Sequence, residues 1–302
     1  MRKILLSGAS GFLGTALISR LLQEEDCEIA QLVRGKPSEN SRVKQIHWDP
    51  IHKQVNLEEL EGFDCWIHLS GEDIASGFWS QEKKRRLYAS RVLSTDFLAE
   101  SLKKLHHPPF LFMCASAIGF YGDQKERLVD EASPMGGGYL ARLCSDWEVA
   151  ARRAKSEYTR VVNLRLGVIL GKGGALRRML PPFKMGMGGV VGDGKQYMSW
   201  IALEDVLDAI AFIIEQKDLR GPVNLVAPAA VTNADFTESL AQTLNRPAKI
   251  PVPAFGLKFA LGEMAKEVIL ASTRVHPKKL LDSGFEFQSK DLDKTLARYI
   301  ET

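Results

Sequence analysis

The sequence predicts a doubly wound α/β fold, a parallel sheet with helices on both faces, followed by a smaller C-terminal substrate-side portion. Three observations predict it. Short apolar runs of strand length alternate with longer segments of helical period through the first half, the pattern of stacked βαβ units. A turn carrying three regularly spaced glycines joins the first run to the first helical segment. After Gly171 the texture changes to glycine- and proline-rich connections of the kind that shape pockets.

Each element follows in order. "KILLS" from Lys3 reads as a strand and leads into a helix from about Gly11. "EIAQLVR" and "FDCWIHLSG" read as the next strands, with a helix from about Ser80, then strands "PFLFMCASA" and "RVVNLRLGVIL". Beyond "GKGGAL" and "PPFKMGMGGVVGDGK" come a helix from Glu204 to about Gln216, a short strand "PVNLVAP", and helices near 233–245 and 255–270. Residues 1–171 are thus expected to form a nucleotide-binding domain to which 196–228 return. Residues 172–195 and 229–302 are expected to make the smaller portion.

Composition narrows the partners. The chain has 302 residues, 45% hydrophobic and 25% charged, and a net charge of only +3, so no electrostatic footprint for nucleic acid is expected. The densest basic run, "EKKRR" at 82–86, reads as the solvated part of a helix. Cysteines 27, 65, 114 and 144 are scattered without a C-x-x-C pair, which suits reduced thiols in a cytoplasm and neither zinc nor a disulfide framework. No membrane segment is expected. The longest apolar stretch, Pro253 to Leu270, is interrupted by Lys258, Glu263, Lys266 and Glu267 and reads as a buried or partner-facing amphipathic helix, which leaves room for a homodimer.

Gly8, Gly11 and Gly14 directly follow a strand and open a helix whose Leu13, Leu17 and Leu21 share one face. In that context glycines supply a tight turn, close backbone approach to a phosphate and close packing of helix on strand, with a pyrophosphate resting on the helix N-terminus. This is the Rossmann dinucleotide fingerprint. The second strand selects the dinucleotide: where an acid would hold a ribose 2′-hydroxyl, "QLVRGK" offers Arg34, with Lys36 nearby and Ser10 in the turn as a further donor. A guanidinium favours a 2′-phosphate, so NADP(H) is expected over NAD(H).

The sequence resembles the extended short-chain dehydrogenase/reductases of the epimerase/dehydratase group. "HLSGE" at 68–72, "SRVLSTDFLAES" at 90–101, "ASAIGFYGD" at 115–123, "SWIALEDVLDAI" at 199–210 and "GPVNLVAP" carry the likeness in the expected order. The set "WDP" at 48–50, "SGEDIA", "LCSDWE" at 143–148, "GGAL" at 173–176 and "GEMA" near 262 is similar to an atypical branch, the nucleoside-diphosphate-sugar epimerase-like proteins of the SDR39U1 and YfcH type. The resemblance implies that Gly8, Ser10, Gly11, Phe12, Leu13 and Gly14 surround the pyrophosphate, Val33 and Arg34 the adenosine end, and Leu69, Ser70, Gly71 and Glu72 the ribose and nicotinamide side. It also implies that Arg91 reaches inward from its helix, the alternative being a surface residue paired with an acid.

Chemistry departs from the family pattern. Hydride transfer in these enzymes uses a Tyr-x-x-x-Lys pair, in which the lysine lowers the tyrosine pKa. Tyr139 stands near the right place, but four residues on lies Leu143, and the nearest cation along the helix is Arg142. Ser116 falls beside the usual serine position, with Ala117 in it, and Tyr121 reads as a packing residue with a second role as an active phenol left open. The catalytic candidates are Tyr139, Ser116 and Tyr121. The expected function is an NADP(H)-dependent oxidoreductase or epimerase-like reaction on a small carbonyl, hydroxyl or sugar-nucleotide substrate, against a cofactor-sensing protein without turnover.

Overall fold

The computed structural model describes residues 1–24, 26–38, 41 and 43–300. Its strands are β1 (Arg2–Ser7), β2 (Cys27–Val33), β3 (Lys44–Asp49), β4 (Gln54–Val55), β5 (Cys65–His68), β6 (Leu111–Ala117), β7 (Leu128–Val129), β8 (Arg160–Leu166), β9 (Val168–Leu170), β10 (Tyr197–Met198), β11 (Trp200–Ala202), β12 (Gly221–Leu225), β13 (Val231–Thr232) and β14 (Arg274–Val275). The helices are α1 (Phe12–Leu21), α2 (Gln81–Tyr88), α3 (Ser94–Leu102), α4 (Tyr139–Arg152), α5 (Gly174–Lys184), α6 (Leu203–Glu215), α7 (Asn233–Thr243), α8 (Ala254–Leu261), α9 (Lys278–Asp282) and α10 (Leu292–Ile300).

Eight strands form the main sheet in the order β12-β8-β6-β5-β1-β2-β3-β4, parallel throughout except for the antiparallel β3–β4 edge. Its strands are apolar on both faces because both faces are covered. Alternation along β1 divides the core: Leu5 joins Trp66, Phe112 and Trp147 on the α3/α4 side, while Ile4 and Leu6 join Leu17, Val162 and Ile210 on the α1/α6 side. A third cluster, with Leu176, Trp200, Phe236, Leu240 and Leu296, holds α5, β11, α7 and α10 together. Strand order reverses between β1 and β5, and the crevice beyond the carboxyl ends of strands at such a switch point is the usual place for a nucleotide.

Three expectations are corrected. "RVVNLRLGVIL" is not one strand: a Cβ at Gly167 would lie 2.6 Å from the Ser199 carbonyl, and the chain bends there so that β9 leaves β8 and pairs with β11. The stretch 255–270 is not one helix, because Gly262 (φ +60°) ends α8 before a separate turn of π helix at Ala265–Ile269. α8 buries no residue and leaves Phe255 and Phe259 exposed. Nor is "EKKRR" simply solvated. Lys83 is buried, its ammonium bound to the Glu72 carboxylate (2.7 Å), the Asp73 carbonyl (2.7 Å) and Ser76 Oγ (2.8 Å), while Lys84 pairs with Glu263.

Candidate functional site

The glycine turn is built by two kinds of constraint. Gly8 has φ +75°, and a Cβ there would lie 2.6 Å from the Leu69 carbonyl carbon, so the turn abuts the end of β5. At Gly14 a Cβ would lie 2.2 Å from the Gly8 carbonyl oxygen, so α1 packs directly on the turn. Gly11 differs: its Cα is exposed, and the nearest atom to a Cβ is the Gly8 oxygen at 3.3 Å. Among the described residues no side chain caps α1 and no acid stands in its first turn, so no side-chain oxygen of theirs takes up the N–H groups of Phe12, Leu13 and Gly14. That combination leaves room and donors for a phosphate.

A buried hydrogen bond fixes the two strands beneath this crevice. Ser7 Oγ, one residue before Gly8, bonds His68 Nδ1 (2.5 Å), one residue before Leu69, and the ring's other nitrogen faces Ser94 Oγ on α3 at 3.5 Å. Burial holds this histidine neutral, pushing its pKa down to about 3.

The β5 loop supplies Leu69, Ser70 and Gly71, the first two half-buried and the glycine exposed. Glu72 lies in the same loop, but its carboxylate is taken by Lys83 (2.7 Å) and Arg86 (3.1 Å). Arg91 sits in a π turn (Ala89–Leu93) between α2 and α3, a feature often kept at functional sites. Its guanidinium donates to the Glu72 carbonyl (2.9 Å), lies over the Trp147 ring at 5.3 Å and would touch a Cβ on Gly71 at 3.2 Å. Among the described residues no carboxylate forms an ion pair with it, unlike the surface-pair alternative. Val33 ends β2, and Arg34 follows it on the exposed surface.

At the ends of β6 and β8 the catalytic candidates meet a different environment. Alternation along β6 turns Ser116 inward, where its hydroxyl donates to Glu148 (2.9 Å). Glu148 forms a two-pronged pair with Arg165 (2.7 and 2.9 Å), both side chains 3% exposed, and Arg165 also donates to the Tyr121 hydroxyl (2.9 Å). Tyr121 in turn donates to Asn224 Oδ1 (2.7 Å). Its ring is fully buried, and burial pushes the phenol up to about 12. Ser116 and Tyr121 are therefore members of one buried polar network, with hydroxyls closed to solvent. Both of these candidates for proton transfer therefore have their hydroxyls held by protein groups.

Tyr139 opens α4 and is half-buried. Its hydroxyl donates to the Lys84 carbonyl (3.1 Å), and its ring packs edge-on against Trp79 at 5.4 Å. Burial raises its pKa, the Glu263 and Glu267 charges add to that, and Arg91 opposes it. Two cations thus bear on this side chain, Arg91 and the Lys84 ammonium 4.8 Å from the ring centroid, whereas Arg142 is exposed. Sequence reasoning missed Glu267, whose carboxylate accepts from the backbone N–H groups of Tyr139 (2.8 Å) and Leu140 (2.7 Å) and so caps α4 from the C-terminal portion. The acid at 267, read only as an interruption of an apolar stretch, gave no sign of that contact.

The profile of the NAD dependent epimerase/dehydratase family matches residues 4–226. The chain belongs to that family. Residues 252–299 match a second family profile, a domain of unknown function named DUF1731. Among relatives, an epimerase family protein of Mycobacterium tuberculosis, MT2273, is 39% identical over 294 residues, covering 97% of this chain and 96% of its own. Human SDR39U1, solved with NADPH, superposes with a TM-score of 0.89 at 29% identity over 99% of both chains. A UDP-glucuronic acid 4-epimerase of Bacillus cereus, solved with UDP-glucuronic acid and NAD, shares the fold at a TM-score of 0.79 and 19% identity. These likenesses establish an epimerase-family, NAD(P)-binding oxidoreductase fold. Among the described residues no helix is long and apolar enough to cross a membrane.

Proposed function

We propose that the chain binds NADP(H) in preference to NAD(H) across the β1/β5 crevice and serves an oxidoreductase or epimerase-like reaction. Its substrate class is a small carbonyl, hydroxyl or sugar-nucleotide compound. The observation that carries the reading is the uncapped N-terminus of α1 beside an open Gly11, with Arg34 rather than an acid at the end of β2. SDR39U1, a relative along its whole length, was solved with NADPH, which supports the same choice here.

When bound, the dinucleotide supplies or accepts hydride. The chain's own parts divide the remaining work. Gly8 to Gly14, with Ser10, Phe12 and Leu13, orient the pyrophosphate, and Arg34 with Val33 holds the adenosine end. The backbone of Leu69 to Glu72 faces the ribose, and Arg91 brings positive charge to the same wall. Tyr139 is the one candidate phenol that is not fully buried, and with its pKa raised by burial it suits donation of a proton better than abstraction.

Titration calorimetry with NADPH and NADH, followed by NADPH oxidation against a panel of carbonyl compounds, tests this reading. NADPH binding with carbonyl-dependent oxidation supports it. A second reading, an NADP(H) sensor without turnover, is favoured by one observation: the hydroxyls of Ser116, Tyr121 and Tyr139 are all engaged by protein groups. Tight NADPH binding with no oxidation by any carbonyl would favour it.

A further inference from the structure

We infer that the Arg178–Asp73 ion pair is a strap across the dinucleotide crevice that opens when NADP(H) enters or leaves. The inference rests on the cofactor reading above and concerns residues outside the binding set.

The crevice has two walls, the turn after β1 and the loop after β5, and one segment of the smaller portion touches both. On the β1 side, the connection into α5 lies against Phe12 at the start of α1. Cβ atoms at Gly171 and Gly173 would each come within 2.7 Å of its ring, so this connection fits the ring only because it lacks side chains there. On the β5 side, Arg178 of α5 grips both carboxylate oxygens of Asp73, the Nη1–Oδ1 bond measuring 3.1 Å. Both anchors are firm. Leu176 is buried in the third core cluster, with Met179, Leu180 and Phe183 packed against it. The Asp73 carbonyl is held by the buried Lys83 ammonium at 2.7 Å. A segment held by the third core cluster thus contacts both Phe12, which follows the glycine turn, and Asp73, which lies in the loop after β5.

Exposure separates this role from a structural one. The two side chains are 53% and 44% exposed, and an exposed pair of this kind adds little to stability. A strap built from it should therefore show in exchange rates and leave the melting temperature where it was.

Stopped-flow NADPH binding, read by nucleotide fluorescence, compares the unmodified protein with Arg178→Gln, Asp73→Asn and the charge swap carrying both Asp73→Arg and Arg178→Asp. The single variants should raise both the association and the dissociation rate about two- to five-fold, with little change in Kd or melting temperature, and the swap should bring the rates back. Unchanged rates in both single variants would overturn the strap while leaving the cofactor reading intact. A faster dissociation alone, with matching loss of affinity, would make Arg178 a cofactor contact and also overturn it. No NADPH binding by the unmodified protein would overturn the cofactor reading and the strap together.

Discussion

Two corners of the same sheet edge handle polar groups in opposite ways. At the end of β1, backbone N–H groups stand without a capping side chain, and the turn leaves exposed space beside Gly11. At the ends of β6 and β8, Ser116, Glu148, Arg165, Tyr121 and Asn224 satisfy one another in the interior. A corner that keeps donors unspent is arranged for a ligand, whereas a corner that spends them holds the fold together. What a serine or tyrosine can do depends on the partners available to its hydroxyl as well as on its residue type.

The largest effect is expected at Glu148. Glu148→Leu strands the buried Arg165 charge and should cost about 3–5 kcal/mol in denaturant unfolding. A loss within experimental scatter would mean that the network does not hold the fold. Gly11→Val should do the reverse: NADPH affinity falls on the order of a hundred-fold as the side chain enters the phosphate space, while stability changes by no more than about 1 kcal/mol. Calorimetry beside a thermal melt separates the two effects, and unchanged affinity would place the phosphates elsewhere.

Smaller effects sharpen the contrast. Tyr121→Phe leaves Arg165 and Asn224 each short of a partner and should cost about 1–3 kcal/mol of stability with NADPH affinity intact. Tyr139→Phe loses one bond to a carbonyl, roughly 0.5–1.5 kcal/mol. In an active enzyme it should also lower turnover about a hundred-fold, and normal turnover would remove Tyr139 as the proton carrier.

His68 gives the pH dependence. Its folded pKa of about 3 lies below the value of roughly 6.5 in an unfolded chain, so its contribution is complete above about pH 6.5 and is lost as pH falls toward 3. The slope from this group approaches about 1.4 kcal/mol per pH unit at most. His68→Asn should flatten the unfolding free energy between about pH 6.5 and 4.5. An equally steep fall in the variant would assign the dependence to other groups.

What was legible in the sequence follows the same division. The alternation of strand and helix, the glycine turn and Arg34 are local patterns, and local patterns determine a βαβ sheet and a backbone-built anion site. Ser116 could be placed near a strand end, but the direction of its hydroxyl depends on Glu148, 32 residues away. The cap on α4 depends on Glu267, 128 residues from Tyr139. Lys83 looked solvated because a run of four cations usually is, and only the fold brings Glu72, Asp73 and Ser76 around it. Contacts of that range leave no periodic trace, which is why the glycine turn could be read from residue spacing and the buried polar network could not.

Selection of a 2′-phosphorylated dinucleotide at the open corner is tested most directly at Arg34. Calorimetric titration of NADPH and NADH against the unmodified protein and Arg34→Asp should show NADPH binding more tightly to the former. The substitution should cost NADPH about 1.5–3 kcal/mol, roughly ten- to a hundred-fold, while NADH binding is kept or improved. Equal affinity for the two dinucleotides in the unmodified protein would contradict the account.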